Sequence, residues 1–163
     1  MFKKLFGKNN KEVIIAAPIT GKLVPLENVP DPVFSQRMMG DGLAIDPSEG
    51  IVVAPFDAKV VQVFPTKHAI GLKHDNGLEV LIHVGLETVG LKGEGFEAFV
   101  SQGDTVKQGD RLLEFNLDII REKASSTVTP IILTNGDLID TMTPSNETET
   151  VRGETTLFTI KVK

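Results

Sequence analysis

His68-Ala69-Ile70-Gly71-Leu72-Lys73-His74-Asp75-Asn76-Gly77-Leu78-Glu79-Val80-Leu81-Ile82-His83 reads as two apolar runs joined at a turn. Asn-Gly suits a two-residue type I′ loop, whose central residues both need positive φ. With Asn76-Gly77 as that loop, Asp75 faces Leu78, Ile70 faces His83 and His68 faces Gly85. Side chains alternate between faces along a strand. His68, Ile70, Leu72 and His74 therefore share a face with Glu79, Leu81, His83 and Gly85. His68 and His83 become diagonal neighbours, roughly 7–8 Å apart at the backbone, and Gly85 leaves space beside the rings. The competing turn is a three-residue Asp75-Asn76-Gly77 loop with a bulge. A one-residue slip would put the two rings on opposite faces. The bland alternative is two unrelated histidines, one at a strand end and one in the core. His74 lies roughly 20 Å from His68 along an extended strand and reads as a solvated turn residue outside any shared site.

The chain has 163 residues, enough for one domain with a real core. It has no cysteine, which removes disulfides, thiolate nucleophiles and cysteine metal sites. The expected compartment is the cytoplasm. No apolar run approaches the ~20 residues that span a bilayer. The first eleven residues hold four lysines and no acid, so the remainder has 13 basic against 22 acidic side chains, a net −9. Such a body binds phosphate backbones poorly, so no nucleic-acid partner is expected. It suits a basic protein partner instead. In the basic segment, Phe2, Leu5 and Phe6 have the spacing of one amphipathic turn. The segment reads as a frayed terminus, with weak membrane-surface contact as the alternative. It lacks the apolar core of a signal peptide.

After residue 12, short apolar runs alternate with Gly, Pro and Asp. They are Val13 to Ala16, Gly21 to Val24, Leu43 to Ile45, Ile51 to Ala54, Lys59 to Phe64, Leu112 to Phe115, Val128 to Thr134 and Thr156 to Val162. Strands at this spacing predict an all-β sandwich or barrel. The one good helix pattern follows Phe115, capped by Asn116 or Asp118, with Ile119, Ile120 and Ala124 on one stripe. Ala17-Pro18-Ile19-Thr20-Gly21-Lys22-Leu23-Val24 echoes Ala54-Pro55-Phe56-Asp57-Ala58-Lys59-Val60-Val61, and Gly103 to Leu112 is a further turn-strand unit. A sheet built by duplicating one motif is expected. Residues 145–155 are polar and predict a long surface loop.

Several chemistries drop out. There is no phosphate-binding G-x-x-x-x-G-K-[ST] loop, no G-x-S-x-G elbow and no HExxH pair. A closed zinc site would have at most two histidine ligands and would need carboxylates. A neutral imidazole, with a reference pKa of about 6.5, has a free ring nitrogen at pH 7. That nitrogen can accept a phosphoryl group covalently, and the transfer needs mainly positioning and charge stabilisation. A second imidazole can donate to the phosphoryl oxygens. The Thr66 hydroxyl could fix the tautomer of His68, and backbone N–H groups near Gly85 could supply further donors.

The stretch Gly77 to Val89 resembles the active-site signature of the glucose-type enzyme IIA family of the bacterial phosphoenolpyruvate-dependent sugar phosphotransferase system. That signature runs glycine, two variable residues, three apolar residues, histidine, apolar, glycine, apolar, variable, threonine, apolar, and every position matches. Ala17-Pro18 with Gly21, Val29-Pro30-Asp31-Pro32-Val33-Phe34, Met39-Gly40-Asp41-Gly42, Thr66-Lys67-His68-Ala69, Leu91-Lys92-Gly93-Glu94-Gly95-Phe96, Glu114-Phe115 and Glu122-Lys123-Ala124 are also family-like. The resemblance implies a sandwich-like antiparallel barrel with a duplicated motif and one or two short helices. It would span residues 13–163 as a single domain after a flexible basic tail at 1–12.

The resemblance further implies that His83 accepts a phosphoryl group on Nε2 from the phosphohistidine of HPr. His83 would pass it to a cysteine of a IIB domain of a glucose-family permease. His68 would stabilise the group and Thr66 would hold the His68 ring. The implied docking positions are Asp31, Val33, Phe34, Met38, Met39, Phe64, Leu81, Gly85, Glu87 and Val89, with Asp31 and Glu87 facing a basic partner. Exposed Phe34 and Phe64 would distinguish docking from core. Met38-Met39 replaces branched aliphatics, and Glu87 stands where a shorter acid is frequent. No cofactor is required, although His68 and His83 could share a zinc ion with a partner's carboxylate. The alternatives are a regulatory module switched by phosphorylation, a metal-dependent hydrolase using His68 and His83, and a lipoyl-like carrier, for which no suitable Met-Lys hairpin exists.

Overall fold

The computed structural model describes residues 12–163, so the basic segment and its proposed membrane contact lie outside the described residues. In chain order the elements are β1 (Glu12–Ala16), β2 (Gly21–Pro25), α1 (Pro32–Ser35), β3 (Asp41–Pro47), β4 (Ile51–Val53), β5 (Ala58–Val63), β6 (Ala69–Lys73), β7 (Glu79–His83), β8 (Phe96–Ala98), β9 (Thr105–Val106) and β10 (Arg111–Phe115). They continue with α2 (Leu117–Lys123), β11 (Thr129–Leu133), β12 (Ile139–Pro144), β13 (Glu149–Thr150) and β14 (Thr156–Val162). One sheet has the order β13-β2-β3-β11-β7-β6-β5-β9, and two three-stranded sheets have the orders β1-β14-β12 and β4-β10-β8. Every pairing is antiparallel, giving the expected all-β sandwich-like architecture with two short helices.

The expected duplication is present in the backbone hydrogen bonds. Ala17 donates to Thr155 O and accepts from Gly153 N, while Ala54 donates to Asp110 O and accepts from Gly109 N. The two Ala-Pro units also bond each other reciprocally, Ala16 N–H to Pro55 O and Val53 N–H to Pro18 O, both at 2.9 Å. The pairing β13-β2-β3-β11 is thus the counterpart of β9-β5-β6-β7. The two halves meet where β11 pairs β7, with Ile131 opposite Ile82.

The central strands are covered on both faces, which is why β7 reads as an almost continuous apolar run. Val80 and Ile82 enter the main core with Ile70, Leu72 and Ile131. Leu81 enters a smaller cluster with Ala69, Ala44, Ile132, Phe34 and Leu86. Asp31 builds the lid over that second face. Its carboxylate accepts the Val33 N–H at 2.9 Å and Pro32 follows at the first helical position, two start signals for the four residues of α1. Phe34, the one buried residue of α1, anchors it, and burying a ring of this size contributes roughly 1.5–3 kcal/mol. α2 forms where its periodicity predicts, with Asn116 accepting the Ile119 N–H and Ile120 fully buried.

Two expectations are corrected. The β6–β7 loop is the three-residue Asp75-Asn76-Gly77, not Asn76-Gly77, so Ala69 faces His83 and Lys73 faces Glu79. Of the loop residues only Gly77 has positive φ, at 98°, whereas a type I′ turn demands it at Asn76 as well. The stretch 145–155 is not wholly loop. Glu149 and Thr150 pair with β2, and the buried Thr150 hydroxyl donates to Ile19 O at 2.8 Å.

Candidate active site

β7 ends at His83, and the next turn fixes its ring. Gly85 has φ of +72°, and a Cβ there would lie 2.7 Å from the Thr88 methyl and 2.9 Å from Ser126 O. Only glycine fits this bend. The bend returns the Gly85 carbonyl to His83 Nδ1 at 2.9 Å. A carbonyl only accepts, so Nδ1 carries the proton and the lone pair of the neutral ring sits on Nε2. Thr88, which the sequence reading gave no role, braces the bend by donating to Val84 O at 2.7 Å.

His68 lies in the β5–β6 turn, and only 3% of it is exposed. Its Nδ1 is 2.5 Å from the Thr66 hydroxyl. The His68 and His83 rings meet edge to face, with centroids 4.9 Å apart and planes at 80°. Phe64 packs on His68 at 5.4 Å and Phe34 on His83 at 5.1 Å. The pair forms despite the shifted register, because strand alternation ends at Ala69 and His68 belongs to the turn.

Burial lowers the His68 pKa to about 4, helped by charge on His83. Burial also lowers the pKa of His83, opposed by its hydrogen bond to Gly85 and by the nearby Asp31 carboxylate. Both rings are therefore neutral at pH 7, as a nucleophilic nitrogen requires.

The other sequence-predicted positions divide. Val33, Met39, Met38 and Val89 are exposed, the last two by 68% and 58%, and Phe64 is half-buried. Phe34 and Leu81, at 4% and 6% exposed, are core, and Gly85 is buried, so none of the three presents a docking surface in this conformation. Asp31 is half-buried, and exposed Glu87 accepts a hydrogen bond from the Ser125 hydroxyl. The backbone N–H groups expected as spare donors are engaged: Val84 with His68 O, Gly85 with the Thr129 hydroxyl and Leu86 with Ser126 O. His74 stands outside the site. It is half-buried rather than solvated, edge-on to Phe56 at 5.4 Å, and its Nδ1 accepts the Asn76 N–H. Among the described residues no three His, Asp or Glu side chains converge as a metal cage. No described helix is long and apolar enough to cross a membrane.

Residues 13–139 match the model of the phosphoenolpyruvate-dependent sugar phosphotransferase system, EIIA 1, family. The chain is 55% identical to the PTS system glucose-specific EIIA component of Bacillus cereus, each covered completely. It is 53% identical to the protein of that name from Staphylococcus aureus, over 98% of each. Among solved structures it superposes on glucose permease IIA from Mycoplasma capricolum with a TM-score of 0.84 at 39% identity, covering 93% of this chain and 97% of that one. The chain belongs to the EIIA 1 family of the phosphoenolpyruvate-dependent sugar phosphotransferase system.

Proposed function

We propose that this protein is the phosphoryl carrier of a glucose-family uptake system in the cytoplasm, with His83 as the phosphorylated residue. The carrying observation is the Gly85 carbonyl on His83 Nδ1, which leaves Nε2 as the nucleophile. The His83 Nε2 lone pair attacks the phosphorus of phospho-HPr. The new N–P bond forms as the HPr N–P bond breaks, and the released HPr imidazole keeps the electron pair. In the second step a cysteine thiolate of a IIB domain attacks the same phosphorus and His83 leaves as neutral imidazole. Neutral His68 donates from Nε2–H to the phosphoryl oxygens while the Thr66 hydroxyl donates to its Nδ1, and no resident cofactor takes part. Glucose is the favoured sugar because curated relatives at 53–55% identity bear glucose-specific names.

Val33, Met38, Met39 and Val89 supply an apolar surface for both partners, with Asp31 and Glu87 meeting basic side chains at its rim. Residues 13–163 act as one unit after the basic tail. A second reading, a docking module for regulatory targets switched by phosphorylation, draws on the same surface, since a phosphoryl group brings about −2 charge into apolar surroundings. Transfer of labelled phosphate from phosphoenolpyruvate through Enzyme I and HPr tests the proposal. His83→Gln should abolish labelling, and His68→Gln should accept the group but pass it on poorly. Undiminished labelling of His83→Gln would overturn the assignment, and transfer from phospho-HPr that is retained on chelation would exclude a metal-dependent site.

A further inference from the structure

Among the described residues, four other than glycine have left-handed backbones: Arg37, Lys67, Glu87 and Lys92, with φ of 54–60°. Lys67 is the one that stands between two side chains bonded to each other, Thr66 and His68. It is also the one positive-φ residue between Phe64 and Ala69.

The turn around Lys67 is pinned on both sides. Lys67 N–H donates to Phe64 O at 2.7 Å, Phe64 N–H to Ala69 O at 3.1 Å, and Val84 N–H to His68 O at 2.7 Å. Continued strand alternation from Ala69 would send His68 to the face of Ile70, into the main core. The ring instead lies against His83 and Phe64, on the face that Ala69 shares with Leu81 and Phe34. That change of side is made where the strand gives way to the turn at His68; the φ reversal at residue 67 folds the preceding chain back so that the Thr66 hydroxyl meets His68 Nδ1. The Lys67 side chain is exposed, and its ammonium makes no hydrogen bond or ion pair among the described residues. Lys67 is strained without a compensating side-chain contact, a pattern found at sites where backbone strain serves positioning.

We propose that Lys67 is a positioning residue for phosphoryl transfer: its left-handed backbone, not its ammonium, carries the Thr66 hydroxyl back onto His68 Nδ1 and so fixes the ring that faces His83. The effect on transfer rests on the phosphoryl-carrier reading, whereas the effect on the His68 ring does not. Glycine and asparagine accept this backbone readily, alanine accepts it about as lysine does, and β-branched valine resists it.

The test measures the ring 15N shifts of His68 and the two transfer steps, from HPr and to IIB, in K67G, K67N, K67A and K67V. K67G, K67N and K67A should keep the parent's His68 shifts and its transfer to IIB within about twofold. K67V should move the His68 shifts toward a tautomer mixture and slow transfer to IIB on the order of tenfold to a hundredfold, with acceptance from HPr little changed. Unchanged His68 shifts in K67V would overturn the proposal. Slow transfer in K67A with parental shifts would also overturn it, by making the ammonium the active part. K67G supplies a readout even if K67V does not fold. Relief of strain should raise its Tm by about 2–4 °C, and an unchanged or lower Tm would deny that the position is strained. Failure of the parent chain to accept phosphate while the His68 shifts follow this order would sink the carrier reading and leave the positioning claim standing.

Discussion

Acidification should destabilise this protein through His68, and the size of the effect follows from its burial. The folded-state pKa of His68 lies at about 4, lowered from 6.5 first by burial and then by charge on His83. As pH falls, the unfolded chain takes up a proton near pH 6.5 and the folded chain only near 4. Between those values the unfolded state holds more protons, so stability rises with pH. The contribution is fully present above the unfolded pKa and is gone once pH has fallen through the folded one. At about 1.36 kcal/mol for each unit of separation, the loss across the window is about 3 kcal/mol. For a chain of this size that corresponds to a fall in Tm of roughly 6–12 °C. His83, whose pKa burial also lowers, acts in the same direction. The assay is urea unfolding of the parent and His68→Gln from pH 7.5 to 4, with the difference between the two curves isolating His68. The two should converge as pH falls. Parallel curves across the window would refute the buried, neutral His68 on which the site chemistry depends.

Gly85→Ala should lower stability by about 2–4 kcal/mol, because its Cβ meets backbone and Thr88 at positive φ; thermal unfolding reports the loss, and an unchanged Tm would contradict the bend described. Phe34→Ala should cost about 3–5 kcal/mol as a core truncation. Met38→Asp should leave Tm within a degree or two yet slow phosphoryl transfer from HPr on the order of tenfold, through lost apolar docking. Equal effects of Phe34→Ala and Met38→Asp on stability would contradict their burial and exposure. Thr66→Val should release the His68 tautomer, visible in its ring 15N shifts, and slow the second transfer more than the first.

The sheet architecture and its duplication were legible because each Ala-Pro unit recurs before a turn and a strand, and the structure pairs those units reciprocally. The hairpin was legible as a hairpin but not in register. Asn-Gly fits both a two-residue and a three-residue loop, and only the φ of Asn76 separates them. Strand alternation puts the two histidines on one face only with a two-residue loop, and the chain has the three-residue one. They meet because strand alternation stops at Ala69 and His68 belongs to the turn, and no strand periodicity encodes where alternation stops. The covered second face hid the burial of Phe34 and Leu81, since alternation says which residues share a face but not whether a lid lies over it. Asp31-Pro32 was the available signal for that lid. β8 and β12 escaped because one has three residues and the other places few apolar side chains on an exposed edge.

The central claim is that Nε2 of His83 bears the phosphoryl group because Gly85 holds its Nδ1 proton. Long-range 1H–15N correlation spectra of the chain phosphorylated by phospho-HPr, with 15N-labelled histidine, assign the N–P bond directly. The expected result is one phosphorylated ring, His83, substituted at Nε2, with Nδ1 still protonated. A phosphoryl group on His83 Nδ1, or on His68, would contradict it.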